Sequence, residues 1–172
     1  PLIFAGEFLK LQSIEKVALT ALIFCVASSA TYILNDLTDI ERDRRHPKKS
    51  KSRPLASGLV SIPQAITILL ILYVALLAAW FVMPAVLYVV LGYLLLNLAY
   101  TFVLKHQPVI DIFTIAIGFV LRVYAGAMAL SVPVSSWMFV TTLCLALYLA
   151  AVKRGQELAS NGSDSREVLQ HY

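Results

Sequence analysis

The stretch Asn35-Asp36-Leu37-Thr38-Asp39-Ile40-Glu41-Arg42-Asp43 gathers acids and an amide at a spacing that could do chemistry. On a helix Asp36 and Asp39 are separated by i,i+3 and Asp39 and Asp43 by i,i+4, so the three carboxylates and the neighbouring Asn35 share one face. Like charges at this spacing destabilise a bare helix, which calls for a compensating cation. A hard divalent ion with oxygen ligands meets that need, and Mg²⁺ in particular uses few protein carboxylates and completes its shell with phosphate oxygens. The chemistry implied is metal-assisted handling of a diphosphate, with Asn35, Asp36, Asp39 and Asp43 as catalytic residues and Asp36, Asp39 and Asp43 as metal ligands. An EF-hand is excluded, because no loop glycine and no twelfth-position glutamate accompany the acids. The competing reading is a solvated helix end in which Arg42, Arg44 and Arg45 neutralise the acids as salt bridges.

Phosphate needs positive partners, and the chain offers Arg42, Lys48 and Arg53 after the acids, Lys105 in a later connection, and Lys153 and Arg154 near the end. Glu157, one helical turn beyond Lys153, is a candidate further metal ligand. Snorkelling and membrane topology account equally well for basic residues at such places. Arg122 is of another kind: it follows Asp111 by a helical distance of about 16 Å at 1.5 Å per residue, deep in an apolar segment. A charge at that depth faces protein or a wet cavity, so Arg122 either receives an anionic head group or bonds helix carbonyls.

These residues are positioned by lipid-dwelling elements. Of 172 residues 59% are hydrophobic and only 14% charged, against about 25% charged in soluble domains. Apolar runs predict spanning helices near 14–40, 62–82, 85–104, 109–130 and 135–155, with a basic loop over 44–61. The runs lack period-2 alternation, so the expected fold class is all-α, a polytopic transmembrane helical bundle forming a single membrane domain over 1–172. The net charge of +4 does not indicate nucleic acid, because the basic residues sit in connections that alternate with neutral ones. That alternation predicts a multi-pass protein of the cell membrane whose basic connections meet on the cytoplasmic side, where they could share a site. A channel or transporter would carry its acids along a path across the bilayer, whereas these cluster at one face. Cys25 and Cys144 have no metal or disulfide spacing and are expected as buried free thiols. Gly118, Ala125 and Gly126 are expected to let helices approach closely. Both ends, an apolar stub at Pro1 and a polar stretch at Tyr172, predict that the chain is part of a longer protein.

Asn35-Asp36-x-x-Asp39-x-x-x-Asp43 resembles the first Asp-rich motif of the UbiA superfamily of membrane prenyltransferases. Arg53-Pro54-Leu55-Ala56-Ser57-Gly58 resembles that family's R-P-[LI]-x-x-G sequence, and Tyr100-x-x-x-Leu104-Lys105 its Tyr-to-Lys segment. Within the superfamily, Leu104-Lys105-His106-Gln107, Leu121-Arg122-x-x-Ala125-Gly126 and Lys153-Arg154-x-x-Glu157-Leu158 are similar to decaprenyl-phosphate phosphoribosyltransferases, as is Ser165-Arg166-x-x-Leu169-x-x-Tyr172. The D-x-x-x-D of the aromatic prenyltransferases is missing after Lys153, and only Glu157 stands at a matching place. The resemblance implies a Mg²⁺-dependent enzyme moving 5-phosphoribose from phosphoribosyl diphosphate to a polyprenyl phosphate, with release of diphosphate, for cell-wall precursor synthesis. The alternative it leaves is an aromatic prenyltransferase using a polyprenyl diphosphate donor and an aromatic acceptor. Implied partners are these substrates and membrane lipid, with no nucleic acid; a homo-oligomer is compatible with the sequence.

Overall fold

The computed structural model describes residues 2–46, 49–107 and 109–161, the side chains of His106 and 157–161 excepted. Every regular element among them is helical: α1 Leu11–Thr38, α2 Ile40–Arg45, α3 Lys49–Ser52, α4 Pro54–Ser57, α5 Ile62–Trp80, α6 Pro84–Phe102, α7 Ile110–Leu130 and α8 Ser136–Asn161, with a 3₁₀ turn at Leu104–His106. Five of them, α1 and α5 to α8, are long and apolar enough to cross a membrane. The expected helix over 14–40 starts earlier, at Leu11, and the basic loop over 44–61 contains the short helices α3 and α4.

The described residues fall into two compact units, residues 2–22 with those from 83 onward, and 23–82. In the first, α7 packs on both α6 and α8, and the 3₁₀ turn joins α6 to α7. The α7 interface is built from small residues, with Ala116, Gly118, Ala125, Gly126, Ala127 and Ala129 all buried. Gly118 lies opposite Tyr93 of α6, whose ring carbon would be 3.6 Å from an added Cβ. Small side chains bring backbones together where burial against lipid supplies no hydrophobic drive. Val109, ahead of α7, has φ 65 and ψ −44, a positive-φ conformation in which a β-branched residue is an outlier.

In the second unit, α2, α3 and α4 pack on one another. Helix α5 opens with Pro63 in its first turn and a capping box, in which the Ser61 side chain accepts from Gln64 N and the Gln64 side chain accepts from Ser61 N. That closes the helix end against fraying where the chain enters the apolar segment.

The cysteine expectation is wrong on burial. Both thiols are free, but both Cys25 and Cys144 are exposed on their helices. The preference of cysteine for the interior comes from proteins in water. On a spanning helix the outward face meets hydrocarbon, where a small apolar side chain is at no disadvantage.

Candidate functional site

The acid-rich segment does not continue α1 as an unbroken helix. α1 ends at Thr38, Asp39 has φ −97 and ψ 5, and α2 begins at Ile40. The hydrogen-bond ladder nevertheless crosses the break, with Asp39 N bonding Asn35 O at 3.0 Å and Asp43 N bonding Asp39 O at 2.8 Å. The one-turn spacing of the acids is thereby kept while the axis is interrupted. Asp43 is buried, and Asp36 and Asp39 are partly so.

Arg53 brings two of these acids together. Its Nη1 donates to Asp36 Oδ1, and its Nε lies 3.6 Å from Asp43 Oδ2. Lys49 Nζ stands 3.8 Å from the other Asp43 oxygen. The R-P-L-A-S-G segment explains how Arg53 is held there. Arg53 is the extended N-cap of α4, Pro54 fixes the first helical turn, Leu55 is buried as an anchor, and Gly58 ends the helix at φ 81. Arg53, Pro54, Leu55 and Gly58 each have a mechanical task in presenting one guanidinium to two carboxylates.

Arginine neutralisation thus occurs, and at Asp36 and Asp43 it comes from Arg53, seventeen and ten residues further along the chain. Arg44 instead faces Glu41 at 3.6 Å in an exposed pair, and Arg42 and Arg45 are exposed. Asn35 lies beside the cluster, and its buried Oδ1 has no hydrogen-bond partner. An unsatisfied buried oxygen next to clustered carboxylates is a donor suited to a cation. Among the described residues no three acidic, His or Cys side chains converge as a metal-holding group. Mg²⁺ does not need one, since one or two carboxylates with substrate phosphates commonly hold it. The chemistry of Asn35, Asp36, Asp39 and Asp43 therefore fits that ion. Lys48 and the Glu157 side chain lie outside the described residues.

The other basic residues belong to the unit containing α6, α7 and α8. Arg154 is buried and donates through Nε to Asp111 Oδ2 at 2.7 Å, and its Nη2 lies 3.3 Å from the Tyr100 hydroxyl. Asp111 is in the first turn of α7, where the helix dipole favours an anion. The guanidinium expected on a phosphate is thus engaged by a carboxylate. Lys105 is buried in the 3₁₀ turn, and Lys153 is exposed. Arg122 Nη2 donates to Tyr93 OH at 2.9 Å, and its guanidinium carbon lies 5.1 Å from the Tyr93 ring centre and 5.0 Å from that of Phe119.

The Asp111–Arg154–Tyr100 connection and the Tyr93 partner of Arg122 escaped the sequence reading. A lone acid opening one span and a basic pair closing the next are a signal for such pairing, because an intramembrane charge needs a partner. Tyr93 carries no sequence signal of its own.

Several membrane-spanning helices, with an Asn-Asp helix end clasped by the arginine of an R-P-L-A-S-G turn, define an integral membrane protein with an acid–arginine site. Residues 3–164 match the UbiA prenyltransferase family, and the chain belongs to it. It is 36% identical over 165 residues to the decaprenyl-phosphate phosphoribosyltransferase of Mycobacterium tuberculosis, covering 94% of this chain and 54% of that protein. The corresponding protein of Mycolicibacterium smegmatis is 37% identical over 161 residues, covering 91% and 50%. The nodulation protein NoeC of Azorhizobium caulinodans is 32% identical over 148 residues, covering 85% and 48%. The chain spans about half the length of the curated relatives it matches.

Proposed function

We propose that this protein transfers 5-phosphoribose from phosphoribosyl diphosphate to a polyprenyl phosphate at the cytoplasmic face of the cell membrane. The observation that carries the reading is the convergence of Asp36 and Asp43 on Arg53, with the unsatisfied Asn35 oxygen alongside. The names of the mycobacterial relatives support phosphoribose as the group moved.

Asp36 and Asp43, with the Asn35 oxygen and Asp39 one turn away in sequence, would hold Mg²⁺ through one or two carboxylates at a time; the ion when bound supplies Lewis-acid stabilisation of the charge on a departing diphosphate. Arg53, whose planar fork matches phosphate oxygens, orients the donor diphosphate at the helix break. Lys49 adds positive charge next to Asp43. The acceptor is already an anion, so its oxygen can attack the anomeric carbon as diphosphate leaves, with little help from a base. The apolar helices keep the isoprenoid tail in the membrane and its phosphate at the surface. In the α6–α7–α8 unit, Lys105, Lys153 and Arg122 are the residues we assign to phosphate contact, while Arg154 serves through its bond to Asp111.

The test supplies purified protein in lipid with Mg²⁺, labelled phosphoribosyl diphosphate and polyprenyl phosphate. Label entering the lipid phase is the expected result; label left wholly in water rejects the reading. Labelled polyprenyl diphosphate with an aromatic acceptor, run in parallel, separates the prenyl-transfer alternative.

A further inference from the structure

The geometry points to Arg53 as an exchangeable counter-ion: it holds Asp36 and Asp43 until a divalent cation takes them, and then turns to the phosphates of the donor. The inference rests on the magnesium–diphosphate reading of the acid cluster and concerns what the cluster does before and after loading.

Three observations carry it. First, the guanidinium occupies oxygens of two different acids, Asp36 Oδ1 and Asp43 Oδ2, so an ion drawn to both must compete with the same side chain. Second, the pairing is not sealed. The Arg53 side chain remains 34% exposed and that of Asp36 19%, so the opening is on the Asp36 side; Asp43 is 5% exposed, and Arg154 and Asp111 are 5% and 2% exposed in their own pair. A guanidinium with that access to water can leave its partner without being stranded in an apolar interior. Third, Arg53 is anchored through backbone, by Pro54, buried Leu55 and left-handed Gly58, so its side chain can change partner while its Cα stays fixed. Arginine is suited to both states, since carboxylate and phosphate present the same forked pattern of oxygens.

A side chain that only braces the fold would weaken every ligand, or none, when removed. An exchangeable counter-ion instead moves two affinities in opposite directions. The experiment uses the purified protein in detergent, with Mn²⁺ as the probe and electron paramagnetic resonance of the free ion as the readout, without substrate. Arg53→Gln is expected to bind Mn²⁺ at least about tenfold tighter than the unsubstituted protein, the factor that ~1.4 kcal/mol represents. Lys49→Gln should move affinity the same way by less, because its ammonium lies farther from Asp43. Arg53→Lys keeps the charge and should stay close to the unsubstituted protein. With Mn²⁺ saturating, inorganic diphosphate should bind Arg53→Gln at least about tenfold more weakly, by the same conversion.

Mn²⁺ binding that is unchanged or weaker in both Arg53→Gln and Lys49→Gln overturns the exchange while leaving the metal reading intact. Absence of Mn²⁺ binding in the unsubstituted protein both alone and with inorganic diphosphate overturns both readings. Should Arg53→Gln fail to give a monodisperse protein, Lys49→Gln decides the matter by the same sign: tighter Mn²⁺ binding upholds the exchange, and unchanged or weaker binding overturns it.

Discussion

Two ion-paired regions of this molecule use the same side-chain types and differ in how they are satisfied. In the α6–α7–α8 unit, Asp111 and Arg154 meet at 2.7 Å, both are buried, and the Tyr100 hydroxyl stands by the guanidinium. In the 23–82 unit, Asp36 and Asp43 share Arg53, Lys49 reaches Asp43, and Asn35 keeps an oxygen without a partner. The first region joins the start of α7 to the late part of α8. The second lies across a helix break and a turn, partly open to water. A buried pair with matched partners is a fastening, because removing either member strands a charge. A half-open cluster with an unsatisfied oxygen is a place where partners can change. The difference is between charges that are matched and dry and charges that are incompletely matched, and the proposed chemistry is assigned to the second region.

Asp36→Asn should show the largest effect. It retains the size of the side chain and removes a charge from the cluster. Turnover in the phosphoribosyl assay is expected to fall about a hundred- to thousandfold, the scale on which removing one preorganised electrostatic group slows an enzyme. The thermal midpoint in detergent should change little, since Asp36 is only partly buried. A variant of unchanged turnover would place the acid cluster among structural features and erase the contrast between the regions.

Asp111→Ala and Arg154→Ala should show the converse pattern. Each leaves a buried charge without its partner, a loss of about 3–5 kcal/mol of stability. Replacing both residues by leucine should recover much of that loss, because apolar residues can fill such a site in place of an ion pair. Thermal unfolding in detergent would measure it. A double substitution as unstable as either single one would show that the pair does more than fasten helices.

The sequence exposed the spans, since the apolar runs are long and the charges fall between them. It also exposed the acid segment, because carboxylates at helical spacing near a membrane surface need a reason to be there. It did not reveal the break at Asp39, where the backbone leaves helical values for one residue with no glycine or proline as a marker. Nor did it reveal that Arg53, remote along the chain, rather than Arg42, Arg44 or Arg45, would clasp Asp36. That choice depends on the turn made by Pro54 to Gly58, whose motif was visible but whose geometry was not. The thiols were misplaced because burial preferences learned in water were carried into lipid. Arg154 looked like a phosphate clamp from its position alone, and only tertiary packing shows Asp111 beside it.

Arg122 can be assigned to one side of the comparison by separating two contacts. Tyr93→Phe removes the hydroxyl that accepts from Arg122 but keeps the ring under the guanidinium. Loss of a hydrogen bond to a charged group is worth about 1.5–3 kcal/mol, and the retained ring contact argues for the lower end. Arg122→Leu removes the charge itself. If Arg122 receives an anionic head group, Arg122→Leu should raise the KM for polyprenyl phosphate while Tyr93→Phe lowers the thermal midpoint with KM unchanged. Equal KM values in the two variants would class Arg122 with Arg154 as a fastening.

Gly58→Ala should have the smallest effect and still discriminate. Gly58 sits at φ 81 as the cap of α4, and a Cβ added there meets nothing within 4 Å. The penalty is therefore conformational alone, about 1–2 kcal/mol for an L-residue in the left-handed region. Gly58→Asn should be affected less, because asparagine tolerates that conformation at helix ends. The strain falls on the turn that presents Arg53, so it should loosen the Asp36–Arg53–Asp43 contacts and leave the Asp111–Arg154 pair untouched. Hydrogen exchange in detergent can read this locally. Faster exchange confined to the amides of Arg53, of Leu55 to Gly58 and of Asp39 to Arg45 is expected, with α7 and α8 unchanged. Exchange that accelerates equally in α7 would mean that the two regions stand or fall together, contrary to the division drawn from their burial.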